Sequence, residues 1–110
     1  MEDKSPFLLM KSLETELNVR LRTIDVAALG KPQQKLVDML RRDIVDARLD
    51  IRDYELSETR DEQLGKAKDA KQRLEQMRKG ILAASEDDIF GSVEVAQLSA
   101  ELEQIIELLI

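Results

Sequence analysis

Apolar side chains recur every three or four residues along most of the chain, which is the spacing of amphipathic helices and not the alternation of strands. Met10, Leu13, Leu17, Leu21, Ile24 and Ala28 form the first stripe, broadened by Leu9, Val19 and Ala27. Ser5 offers an N-cap hydroxyl and Pro6 sits where its missing N–H is harmless. Gly30 follows the last apolar residues, so the punctuation predicts a helix over about 6–29.

The second stripe is the most regular: Val37, Leu40, Ile44, Ala47, Ile51 and Tyr54 alternate by three and four. It begins just after Pro32, so the short connection through Gly30 and Lys31 predicts an αα-hairpin with the first helix. After Tyr54 the next positions in phase are Glu58 and Asp61, and the seam is lost. It resumes in a new phase at Leu64, Ala67, Ala70, Leu74, Met77, Ile81 and Ala84. Thr59 with Glu62 three residues on has the form of a capping box, which favours a break and helices over about 32–56 and 59–84. The alternative is one unbroken helix from Pro32 to Ala84, since neither Gly nor Pro lies between Gln33 and Leu64.

A polar cluster, Ser85 to Asp88, then precedes Ile89 and Phe90, and Gly91 with Ser92 opens a last helix over about 93–110. Val95, Leu98, Leu102, Ile105 and Leu109 supply its seam, while Ala96, Ile106, Leu108 and Ile110 widen the apolar surface. The pattern as a whole predicts an all-α fold: an antiparallel bundle of three to four helices with coiled-coil-like seams, four being the first choice, in one domain over 1–110.

Composition sharpens this picture without changing it. Phe7, Tyr54 and Phe90 are the only aromatic residues, and four Gly and two Pro are too few for the turns of an all-β fold. No run of about 18 apolar residues occurs, and the N-terminal segment has the wrong charge and length for a secretory signal, so a soluble cytoplasmic protein without membrane contact is expected. The net charge of −6 is unevenly spread: all 17 basic residues fall within 1–79, whereas 80–110 hold seven acidic residues and no basic one.

That charge pattern suggests which helices are neighbours. Lys66, Lys71, Arg73 and Arg78 flank the third seam, Asp43 and Asp50 flank the second, and Glu94 and Glu101 flank the last. A basic helix between two acidic edges is the expected arrangement.

Candidate chemistry is narrow. With no His and no Cys, imidazole and thiolate catalysis and the usual zinc sites are excluded, and no phosphate-binding glycine loop is present. Asp43, Asp46, Asp50 and Asp53 line one helical flank at spacings that could converge on Mg²⁺, but Arg42, Arg48 and Arg52 are interleaved, so a salt-bridged face is the favoured reading and no metal or other cofactor is expected. The basic run from Lys66 to Lys79 lacks interleaved aromatic rings, and the chain is acidic overall, so no nucleic-acid partner is expected.

What remains is association through helices. The wide apolar surface of the last helix points to a protein interface formed by Phe90, Leu98, Leu102, Ile105, Ile106 and Leu109, used most simply in a homodimer, with another helical protein as the second choice of partner. The functional expectation is a non-enzymatic interaction or scaffold protein that works by helix packing and self-association. The alternatives are a small acidic chaperone or adaptor shielding a partner's apolar segment, and a Mg²⁺ enzyme built on the acidic flank.

Overall fold

Hydrogen-bonding groups next to the stripes decide where each helix starts and stops. In the computed structural model, which describes residues 5–86 and 89–109, Ser5 caps α1 (Pro6–Arg22) by accepting a hydrogen bond from the Leu8 N–H. The helix then ends earlier than the 6–29 expected from its stripe. The Thr23 hydroxyl donates to the Arg20 carbonyl at 2.7 Å, and the Thr23 and Ile24 N–H groups turn back to the carbonyls of Arg20 and Leu21. Thr23, Ile24 and Val26 are β-branched and disfavour another helical turn, so the chain crosses over through a short 3-10 turn, Val26–Ala28. Ile24, Val26 and Leu29 still pack on the core from this crossover, whereas Ala28 is exposed.

Gly30 is therefore the residue before α2 (Lys31–Leu56) and not the stop of α1. The break before α3 (Arg60–Glu86) is real: the Glu62 N–H donates to the Thr59 hydroxyl at 3.2 Å, and the Glu62 carboxylate reaches back to the Glu58 N–H at 3.4 Å. Ser57 closes the preceding helix in an extended conformation, with its hydroxyl donating to the Asp53 carbonyl at 2.8 Å. One unbroken helix through this region is thus excluded. After α3, Gly91 rather than Ser92 precedes α4 (Ser92–Leu108), one residue ahead of the expected start. Asp87, Asp88 and Ile110 of the expected turn and terminus lie outside the described residues.

The four helices pack as a square in which α2 contacts α1 and α3, and α4 contacts α3 and α1. Ser5 before α1 donates to Glu55 near the end of α2, Leu36 near the start of α2 lines a groove with Gly80 and Ala83 near the end of α3, and Arg20 near the end of α1 binds Glu94 at the start of α4, so neighbours around the square run antiparallel. The second seam is buried throughout, as are Met10 to Leu21 of the first and Ala67 to Ala84 of the third. Leu64 departs from its expected place and is 41% exposed, because the N-terminal part of α3 is covered chiefly by α2. Each fully buried Leu, Ile or Met contributes roughly 1.5–3 kcal/mol of transfer free energy.

Lengths are unequal in a way that matters for surfaces. At about 1.5 Å per residue, the 26 residues of α2 and 27 of α3 make a hairpin roughly 40 Å long, while the 17-residue α1 and α4 reach about 25 Å. The α2–α3 hairpin is the spine, α1 and α4 cover its inner side, and no other helix among the described residues covers its outer side.

Candidate functional site on the outer α2–α3 face

The acidic flank read from the sequence lies on this outer face. Three of its four carboxylates converge on one guanidinium: Arg73 Nη1 is 3.8 Å from Asp43 and 3.7 Å from Asp46, and Arg73 Nε lies 3.5 Å from Asp50. Asp53 stands apart, 3.9 Å from its neighbour Arg52. Burial pushes Asp43 above its ordinary carboxylate range; Arg73 and Arg42 oppose that rise, and Asp46 adds to it. These distances are long for ion pairs and Arg73 is partly exposed, so each contact contributes at most a few tenths to about 1 kcal/mol. Chemically the flank is an acid cluster already engaged by a cation, and among the described residues no group of acids is arranged to hold a metal ion.

The expectation that a basic helix would lie between two acidic edges holds on the α2 side and is revised on the α4 side. Arg78 meets Glu103 at 2.8 Å, not Glu94 or Glu101. Those two face α1 instead. Arg20 Nη1 binds Glu94 at 2.6 Å, and its Nη2 binds Glu16 at 2.9 Å and the Gln97 side-chain oxygen at 3.3 Å, while burial and the adjacent Glu16 carboxylate raise Glu101 above its ordinary value. These pairs follow the helix neighbours of the square, and Glu101 also lines a hollow of about 140 Å³ with Leu9, Ser12, Leu13, Gln104 and Ile105.

The apolar candidates of the last helix sit elsewhere than expected. Phe90, Leu98, Leu102, Ile105 and Leu109 are all buried within the chain's own core, none more than 4% exposed, and Ile106 packs against it half-buried. The bundle itself covers the seam and part of the wider surface, because α4 presents one flank to α3 and the other to α1, while Ala96 and Leu108 stay exposed. Five of the six residues expected at an interface are thus part of the chain's own core, and Ile106 packs at its edge.

A surface that sequence reasoning passed over lies at one end of the outer face. Leu36, Met39, Gly80 and Ala83 line an open groove of about 360 Å³, rimmed by Asp43, Gln76 and Lys79. Met39 is 43% exposed there. Gly80 is where the helices meet closely: a Cβ at this position would lie 3.0 Å from Leu40 Cδ2 and 3.8 Å from Leu36 Cδ1, so Leu40 would have to yield to any larger residue. Farther along, Asp50, Asp69, Gln72 and Arg73 line the middle of the same face, and Asp53, Leu56, Gly65 and Lys66 its other end. The available signal was positional: Leu36 and Met39 precede Asp43 and Asp46 by one heptad on the same flank, and Gly80 and Ala83 follow Arg73 and Gln76 likewise. No family model matches the chain, and no curated protein or solved structure matches it either.

Proposed function

We propose that the protein is a non-enzymatic interaction protein that works by helix packing, and that its working surface is the outer face of the α2–α3 hairpin. The observation that carries this reading is the groove of Leu36, Met39, Gly80 and Ala83, an apolar hollow on a face that no other described helix covers. Apolar side chains lodged between two helices, with charged residues on the rim, are the usual recognition elements for a third helix. The chaperone or adaptor reading uses the same surface and differs only in the partner. The engagement of Asp43, Asp46 and Asp50 by Arg73 weighs against the Mg²⁺ enzyme, since a cation would have to displace a guanidinium already held there.

The test is affinity capture with mass spectrometry, using the wild-type chain and a Met39→Glu variant whose helicity is shown to be intact by circular dichroism. A protein retained by the wild type and lost by the variant supports the reading. Identical capture profiles from both chains reject this face as the working surface.

A further inference from the structure

The outer α2–α3 face is complementary to itself, and we propose that it is occupied by a second copy of this chain, docked about a two-fold axis parallel to the two helices; this rests on the interaction reading above. The wall contributed by α2 is acidic, with Asp43, Asp46, Asp50 and Asp53, whereas the wall contributed by α3 carries Lys66, Arg73 and Lys79 against the two acids Glu62 and Asp69. Levels along the face are set by the groove itself. Asp53 lies level with Lys66, Asp50 with Arg73, and Leu36 and Met39 with Gly80 and Ala83.

A face-to-face dimer can place its axis across the helices or along them. An axis across them lays α2 on α2 of the second copy, so four aspartates meet the same four, and the apolar end with Met39 meets the charged end with Asp53 and Lys66. An axis along them lays α2 on α3 of the second copy at the same level. Asp53 then faces Lys66 of the second copy, each Asp50–Arg73 pair lies over the same pair reversed, and the two apolar ends around Met39 cover one another. Charge and hydrophobic cover select the same axis independently, and neighbouring helices across the contact run antiparallel, as they do within the chain. A face about 40 Å long and about 20 Å wide offers roughly 800 Å² per copy, the share of each partner in a standard interface.

The chain has no cysteine, so a single introduced thiol reports on the geometry. Residues that line the groove lie close to the axis, and Met39→Cys is expected to give a disulfide-linked dimer on mild oxidation. Val19→Cys, on the outward side of α1 and 54% exposed, is expected to give none. By light scattering the wild type at tens of micromolar should have about twice the 12.6 kDa mass of one chain, and Met39→Asp should weaken pairing by about tenfold or more. Asp53→Lys and Lys66→Asp should each weaken pairing alone and restore it when the two variants are mixed, with circular dichroism confirming that each is folded. A single-chain mass up to about 100 µM overturns the proposal. So does a dimer in which Met39→Cys does not cross-link, or one that cross-links only when Met39→Cys is mixed with Asp53→Cys. A monomeric chain that still loses a captured protein on Met39→Glu keeps the interaction reading and rejects only the second copy.

Discussion

Replacing Gly65 and Gly80 by alanine, one at a time, separates helix propensity from helix approach within a single helix. Both glycines lie inside α3, where exchanging Gly for Ala in a helix interior stabilises by about 0.8–1 kcal/mol when nothing else changes. At Gly65 nothing else changes, because an added Cβ has no neighbour within 4 Å. The full gain is expected there, worth roughly 4 °C in Tm for a domain of this size. At Gly80 the added Cβ meets Leu40 Cδ2 at 3.0 Å and Leu40 Cγ at 3.7 Å, and Leu40 is completely buried, so it has little room to withdraw. Overpacking of this kind costs about 1–3 kcal/mol, which cancels or exceeds the propensity gain. Gly80→Ala is therefore expected to be neutral to destabilising by about 2 kcal/mol. Urea unfolding followed by circular dichroism at 222 nm measures both. Equal stabilisation by the two substitutions would refute the close approach of α2 and α3 at Gly80.

Burial raises Asp43, so the folded state takes up its proton at a higher pH than the unfolded chain does, and stability from this group falls as pH rises through the raised value. Asp43→Asn should consequently melt above the wild type at pH 7, with the difference vanishing below the ordinary value of 3.8; a lower melting temperature at pH 7 would contradict the account. Arg73→Gln leaves Asp43, Asp46 and Asp50 without their shared guanidinium and should cost about 1 kcal/mol at pH 7 in urea unfolding; an unchanged midpoint would show that these contacts do not stabilise the hairpin. Leu102→Ala empties a site buried in the chain's own core and should cost about 2–5 kcal/mol in denaturant titrations, by the same amount across a wide range of protein concentration. A strong concentration dependence of that loss would show that Leu102 is covered by another chain.

Helical class, the hairpin break and most of the core were legible in the residues because each depends on chemistry confined to a few neighbouring positions. The three-and-four spacing of Val37 to Tyr54 sets one apolar face whatever lies against it, and Thr59 with Glu62 caps α3 through bonds spanning only a turn. Local signals were also the source of the error at α1. The stripe continues in phase to Ile24 and Ala28, but the Thr23 hydroxyl and the β-branched residues that follow end the helix at Arg22, and the apolar residues reach the core from a crossover instead.

Which apolar surface is left over could not be read locally, since it depends on how many helices share each flank. The C-terminal helix looked over-apolar in isolation, yet two neighbours in the square cover Leu98, Leu102 and Ile105 completely or nearly so. Likewise, the acidic flank of α2 is compatible with solvent, metal or an ion pair until the antiparallel register brings Arg73 within 4 Å of three of its members. The groove at Gly80 is walled by two helices, a property that neither helix carries alone. Short-range hydrogen bonding and hydrophobic period were determined by the sequence itself, whereas register and the division of buried from open surface came from packing between segments far apart in the chain.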